Sequence, residues 1–353
     1  MINCHLEVIP KGYITSMYVL SAITLPVDLF GVYCIIAKSP SIMKDYSRLL
    51  LVYQICATVT DTWTNLLFIP IAFLPFPIVY HAGILFSRTE IHYSYVFITW
   101  LCMIITTMGS VVQLFIFRWQ AMLMKDHLLR LNKKLIYAIC FTFFFIFNGA
   151  VVAAGFTMPN RIDELKPMYI QNFTCIAEMV DLRGVQYFQQ KDYQRLFLVT
   201  TVGATIVVTI ALILVYLTSR TLQNKNVSQK TIDMQRRYQI SLILQVVIPI
   251  FVVIAPGCAV MMFGVLSDIY LSITYTLHIQ VVTNIVLCLI SAHGLFGTII
   301  MVIVNQPYRR FAIDCFRRGF GICMRTTSLD SDMRRRRSSQ VRDARLSSLA
   351  VNN

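Results

Sequence analysis

Seven long apolar runs, each free of Lys and Arg, constrain the fold of this 353-residue chain more than any other feature. A helix needs about 20 mostly apolar residues to cross roughly 30 Å of hydrocarbon, whereas barrel strands are alternating segments of about 10 residues. All 31 basic residues lie outside the runs, and only two acidic residues, Asp28 and Asp61, lie inside. We therefore predict an all-α membrane protein with a seven-transmembrane helix bundle. Its predicted spans are 14–37, 49–73, 93–117, 135–157, 196–217, 240–265 and 275–304.

The composition excludes a soluble protein. Apolar residues make up 57% of the chain and charged residues 14%, against about 25% charged residues in a soluble domain. The net charge of +14 would suit a nucleic-acid partner if it were spread evenly. Because the basic residues concentrate in alternate loops, the charge is better explained as a topology signal, and no nucleic-acid binding is expected.

The loop charges predict the orientation. One set of segments holds 24 Lys and Arg, namely 38–48, 118–134, 219–237 and 305–353, and the opposite set, which begins with residues 1–13, holds 7. Basic loops stay in the cytoplasm. We therefore predict an external N-terminus and a cytoplasmic C-terminus.

Three regions outside the spans have their own predicted structure. Residues 75–86 are apolar but too short to span, so we predict an interfacial or re-entrant loop. Residues 308–322 form an amphipathic pattern that predicts a helix on the membrane surface. Residues 323–353 form a basic tail, predicted to be disordered.

Several residues of the C-terminal region are candidates for modification. Cys315 and Cys323 are palmitoylation candidates, with a free thiol as the alternative for either. Ser338 and Ser339 follow four consecutive arginines and are phosphorylation candidates. Since anionic lipid attracts basic segments, the arginines predict a contact with membrane lipids that phosphates would weaken. The alternative is a solvated charge run without a regulatory role.

Polar residues inside the spans form a candidate switch. Asp61 lies about 18 Å along span 2 at 1.5 Å per residue, and an acid at that depth should face the bundle interior and find a partner. Asn65 lies one turn further on, and Asn284 in span 7 is a candidate to bond across. Asp28 in span 1 has the same interpretation. A structural hydrogen-bonding role is the alternative for all of them.

Enzyme signatures are nearly absent. The chain has no GxxxxGK[ST], HExxH or GxSxG motif, and its six His and ten Cys show no metal-ligand spacing. We predict no enzyme activity, no metal and no cofactor.

The segments predicted to be external carry two candidate modifications. Asn172 opens an Asn-Phe-Thr glycosylation sequon, whereas Asn226, in a second sequon, falls on the cytoplasmic side. Cys4 and Cys175 are the two cysteines in external segments. They could pair in an oxidising compartment, but the sequence does not fix the pairing.

Five segments of the chain carry recognisable motifs. They are 31–43 (GVYCIIAKSPSIM), 49–61 (LLLVYQICATVTD), 117–121 (FRWQA), 293–294 (HG) and 307–309 (PYR). Together with the arrangement of the spans, these motifs resemble a G-protein-coupled receptor, and more narrowly a nematode serpentine chemoreceptor of the Srh/Sri group. Within that group, the Gln, Cys and Asp of 49–61 and the RWQA of 118–121 favour Sri over Srh.

The resemblance implies chemosensation, as in olfaction, with an external ligand and a heterotrimeric G protein as partners. Location in the plasma membrane or a sensory cilium follows. The cytoplasmic partner face would include loop 219–237 and Arg118, Pro307, Tyr308 and Arg309; Phe117 stands where receptors usually carry an acid. Polar or aromatic residues in the outer halves of the spans are the ligand candidates, and interfacial anchoring is the alternative for the tyrosines. These candidates are Tyr95, Trp100, Tyr275, His278 and Gln280.

The competing class is a seven-span ligand-gated channel or a transporter. Transporters often show inverted repeats with helices broken at matched positions, and we find no such pairs. A seven-span channel would usually have the opposite topology, which the loop charges disfavour. A G-protein-linked receptor is therefore the preferred interpretation.

Overall fold

In the computed structural model of the chain, the described residues fall in eight main stretches, with single positions at 76 and between 240 and 247. The stretches are 7–39, 44–73, 78–85, 93–123, 129–156, 162–172, 185–223 and 276–319. Within them the chain is mostly helical. The helices are α1 Lys11–Lys38, α2 Lys44–Thr62, α3 Tyr93–Met122, α4 Lys133–Phe156, α5 Ile162–Asn172, α6 Gln190–Gln223, α7 Thr276–Ser291, α8 His293–Val304 and α9 Gln306–Gly319.

Five helical segments of the described chain are long and apolar enough to cross a membrane. Such continuous apolar sequence becomes helical in a bilayer because a helix satisfies its own backbone hydrogen bonds where no water is present. Helices α1, α3 and α6 cover predicted spans 1, 3 and 5 and extend beyond them by a few residues, and α4 begins two residues before predicted span 4 and ends at Phe156. The five segments are Lys11–Lys38, Tyr95–Met122, Lys133–Phe156, Gln190–Thr221 and Ile279–Val304.

Predicted span 2 does not remain helical to its end. After α2 the chain forms a π-helical segment, Trp63–Phe68, and leaves the helix at Ile69, whose φ of 41° is left-handed. Residues 69–73, predicted as the end of this span, instead lead into a β-strand. A π-helical turn has one extra residue per hydrogen-bonded loop, which no apolar pattern reports.

A small antiparallel sheet corrects the all-α prediction. Its order is β1 (Pro70–Ala72), β2 (Ile78–His81) and β3 (Gln186–Tyr187). The register pairs Ile71 with Tyr80 and Ile78 with Tyr187. The stretch 75–86, predicted as an interfacial or re-entrant loop, therefore contributes a β-strand. We call these three strands, with the described residues that flank β1 and β2 (69, 73, 76, 82 and 83), the β-cap.

The β-cap packs on the N-terminal end of α1. Phe73, Phe76 and Ile78 are fully buried and pack with the buried side chains of Tyr13 and Met17 of α1. The hydroxyl of Tyr13 donates to the carbonyl of Pro70 at 2.8 Å. Burial of large apolar side chains, at about 25 cal/mol per Å², therefore holds the β-cap against the bundle.

Predicted span 7 is interrupted. Helices α7 and α8 meet at Ala292, whose φ and ψ of −90° and −1° depart from regular α-helix. Predicted span 6, residues 240–265, lies outside the described residues except at isolated positions. The amphipathic segment predicted at 308–322 falls on α9, which ends at Gly319.

Candidate functional site

The interruption between α7 and α8 coincides with a buried pair of titratable side chains. His293, the first residue of α8, places Nδ1 3.2 Å from Oδ1 of Asp61 on α2. The same nitrogen lies 2.8 Å from the carbonyl oxygen of Ile290. Because both neighbours of Nδ1 are acceptors, Nδ1 carries the proton. Both side chains are at most 5% exposed.

Backbone groups released by the interruption are taken up by side chains of the neighbouring helix. The Asp61 carboxylate faces the N–H groups of Gly294 and Leu295, which an unbroken helix would pair with Ile290 and Ser291. The freed carbonyl of Ser291 accepts from Nδ2 of Asn65 at 3.2 Å. Asn65 thus satisfies a backbone carbonyl that would otherwise be unpaired in lipid, and the Asp61 carboxylate lies beside the two released N–H groups.

Glycine at two positions of α8 permits this close approach. A Cβ added to Gly294 would overlap the carboxylate of Asp61, and one added to Gly297 would lie 3.0 Å from the hydroxyl of Tyr53. The sequence His293-Gly294-Leu-Phe-Gly297-Thr298 is therefore a packing motif as well as a polar one.

A second group of polar side chains joins α1, α2 and α8. The hydroxyl of Thr298 donates to Oδ1 of Asp28 at 2.6 Å. Nε2 of Gln54 donates to the Thr298 hydroxyl at 2.6 Å and lies 3.5 Å from the same Asp28 oxygen. All three residues are at most 1% exposed. We call Asp28, Gln54, Asp61, Asn65, His293 and Thr298 the polar cluster.

The structure gives Asp61 a different partner from the predicted Asn284. Counted from the end of α8 at Val304, His293 lies about 16 Å along the helix and Asn284 about 30 Å. Asp61 lies about 18 Å from Leu49, at the corresponding end of span 2. His293 is therefore the residue of span 7 at matching depth, and this comparison could have found it from sequence. Oδ1 of Asn284 is buried without a hydrogen-bond partner in the described part of the chain.

Two of the predicted G-protein residues, Tyr308 and Arg118, lie near the C-terminal ends of α1 and α3. The hydroxyl of Tyr308 is 2.8 Å from that of Ser39, directly after α1, and Pro307 and Arg309 flank Tyr308 on α9. Arg118 is 8% exposed near the C-terminal end of α3.

The side chain of Gln120 holds the connection that follows α3. Its Oε1 accepts from the N–H of Leu131, and its Nε2 donates to the carbonyl of Leu129, both at 2.9 Å. The segment 117–121, which carries part of the resemblance, therefore also holds residues 129–131 before α4.

Two predicted ligand residues are engaged within the fold. Nε1 of Trp100 donates to the hydroxyl of Thr64 at 2.8 Å, and its ring packs on Phe68. The side-chain amide of Gln280 bonds the backbone N–H and carbonyl of Glu7, each at 2.8 Å. Both residues are buried within the chain's own contacts, which favours a structural role.

Three further predicted site residues, Tyr95, Asn172 and Cys315, lie on described helices. Tyr95 is 57% exposed and lies edge-on to Phe156. Asn172 is the last residue of α5, and Cys315 lies on α9 without a disulfide bond to another described residue. Tyr275, the side chain of His278, Cys4, Cys175, Cys323, Ser338, Ser339 and most of loop 219–237 lie outside the described residues. Within the described chain, no three His, Cys, Asp or Glu side chains converge as metal ligands.

Comparison with known proteins identifies the class. The family model of the serpentine-type seven-transmembrane G-protein-coupled chemoreceptors, Srh, matches residues 9–318. The chain belongs to this family and is a multi-pass membrane receptor of the chemosensory class. The preference for Sri is not supported, since the matching family is Srh. A search of curated proteins finds no match.

Proposed function

We propose that this chain is a cell-surface chemoreceptor that binds an external small molecule or peptide and activates a heterotrimeric G protein. Membership of a receptor family supports the sensory role. The excess of basic residues in alternate loops supports an external N-terminus. Location in the plasma membrane or a sensory cilium follows from the proposed exposure to external chemicals.

The observation that carries the proposal is the joint between α7 and α8. Asp61 and Asn65 of the α2 region bond the two sides of this joint, while Thr298 ties α8 to Asp28. A ligand that shifts α7 must therefore rearrange a small set of buried hydrogen bonds. Coupling between distant sites requires an element with two discrete arrangements, and we propose this joint as that element.

The proposed G-protein site lies beyond the end of α8. Beyond Val304 the chain reaches Tyr308, whose hydroxyl bonds Ser39 at the end of α1. Movement of α8 would change this contact at the end of α1. We therefore place the G protein at this end of the bundle.

The test is a ligand screen in host cells with and without the matching G protein. We expect a response that disappears when the G protein is removed. A ligand-evoked current that persists without it would instead support the channel alternative.

A variant pair tests the polar cluster within the same assay. Asp61→Asn preserves the shape of the side chain but removes its charge, so it should change ligand potency at matched surface expression. Asp163→Asn is the matched control, because Asp163 is exposed in the first turn of α5. Equal dose–response curves for wild type and Asp61→Asn would leave Asp61 with a structural role alone.

A further inference from the structure

A deep crevice lies behind the N-terminal half of α4. It has a volume of about 760 Å³ and is walled by α2, α3, α4 and one residue of α6. Its walls are mostly apolar, with Phe141 and Phe144 on one side and Val112 and Ile116 on the other. This volume is within the usual range of about 300–1,000 Å³ for ligand sites.

The crevice opens sideways from the bundle. Val52, Tyr137 and Phe141 on its walls are 48%, 46% and 70% exposed. Helices α3 and α4 are both long and apolar enough to span a membrane, so this opening faces hydrocarbon. An apolar space of this kind holds no stable water, and acyl chains are the apolar groups that surround such an opening in a membrane.

One end of the crevice leads to basic side chains. A small second cavity shares Gln113 and Tyr137 with the crevice and reaches Lys133. The ammonium of Lys133 lies 2.7 Å from the carboxylate of Asp45, and the guanidinium of Arg48 lies 3.8 Å from the same carboxylate. Two largely exposed cations thus share one acid, which leaves a positive charge at this mouth.

A polar side chain lies between the mouth and the apolar space. Gln113 borders both cavities and is half-buried. Tyr137 is one turn from Lys133, about 6 Å along α4. Gln113 and Tyr137 therefore bring an amide and a hydroxyl donor to this depth, where a polar group without a hydrogen bond is costly, and the ester carbonyls of a bound molecule would accept from them.

We propose that the crevice binds an anionic glycerophospholipid. An acyl chain lies between α3 and α4, the ester carbonyls meet Gln113 and Tyr137, and the phosphate meets Lys133 and Arg48. Anionic lipid is the form complementary to this mouth, and it is enriched in the cytoplasmic leaflet, where the loop charges place the start of α4.

The full chain in lipid nanodiscs provides the test. The probe is phosphatidylserine with a photoreactive group on its acyl chain, and labelled peptides are located by mass spectrometry. We expect labelling on α3 and α4 within 106–116 and 137–144. Phosphatidylcholine carrying the same group should label these peptides several-fold less.

Two variant pairs give matched controls. Gly109→Phe should fill the crevice, because a Cβ there meets only Phe144 at 3.8 Å, whereas Gly149→Phe adds the same ring to α4 where nothing lies within 4 Å. Lys133→Gln should lower phosphatidylserine labelling about fivefold. Lys134→Gln removes the same charge one residue away and should have a smaller effect.

The outcomes separate a site from ordinary boundary lipid. Labelling that falls with Gly109→Phe and Lys133→Gln but survives both controls supports the site. Equal labelling by the two phospholipids, or labelling unchanged in Gly109→Phe, overturns it. Preferential labelling by a photoreactive sterol overturns the assignment to a phospholipid. Lys133→Gln alters only an exposed side chain, so its result stands if Gly109→Phe fails to fold.

Discussion

The close contact between Gly294 and Asp61 makes a quantitative prediction. In an ordinary helix position Gly→Ala stabilises the helix by about 1 kcal/mol. At Gly294 the added methyl group would overlap the Asp61 carboxylate, which must then move away from His293. Overpacking costs about 1–3 kcal/mol, and a lost hydrogen bond to a charged group about 1.5–3 kcal/mol. We expect Gly294→Ala to lower the free energy of unfolding by about 2–4 kcal/mol.

Two other glycines calibrate the effect. Gly149 on α4 has no atom within 4 Å of an added Cβ, so Gly149→Ala should be neutral or stabilising. The loss of stability in Gly297→Ala should lie between those of Gly149→Ala and Gly294→Ala, because its Cβ would meet the hydroxyl end of Tyr53 at 3.0 Å, and that side chain can adjust. We therefore expect stability to decrease from Gly149→Ala to Gly297→Ala to Gly294→Ala, because α8 packs closely against α2.

The assay is equilibrium unfolding of the purified receptor in mixed micelles, with thermal unfolding as a second measurement. Asp61→Ala should remove most of the penalty of Gly294→Ala, since it removes the group that the methyl meets. Contacting residues give non-additive effects of about 0.5–3 kcal/mol in such cycles. If Gly294→Ala behaves like Gly149→Ala, or if the two substitutions are additive, the packing argument is refuted.

Three further predictions concern the rest of the molecule. Trp100→Phe removes the bond to Thr64 and should cost about 1 kcal/mol of stability without changing ligand potency; a potency shift at unchanged stability would restore the predicted ligand role. Burial lowers the pKa of His81 in the β-cap, so the unfolded chain binds this proton more readily and stability should fall as pH drops below about 6.5; His81→Gln should flatten that dependence in thermal unfolding. Enzymatic deglycosylation should shift the wild type and Asn226→Gln but not Asn172→Gln, and the reverse pattern would invert the orientation.

The sequence by itself determined where the chain can enter a membrane. The long apolar runs must lie in the membrane, because exposing so much apolar surface to water is unfavourable. The charged segments between them must stay outside it, because burying a charge in lipid is costly. Helices α1, α3, α4 and α6 accordingly lie on predicted spans. The family also follows from motifs readable in the chain, although the choice between the Srh and Sri groups required the comparison with the family model.

The tertiary structure decided what the polar residues do and where regular helix stops. A burial argument shows that Asp61 needs a partner, and the depth along span 7 favours His293 over Asn284, but which face of α8 meets Asp61 depends on the rotation of α8 against α2. The exit of the chain at Ile69 and the joint at Ala292 are likewise invisible to hydropathy, since both lie within continuous apolar sequence. Their geometry is fixed by backbone groups that neighbouring side chains satisfy, such as the carbonyl of Ser291 by Asn65, and those neighbours exist only once the helices have packed.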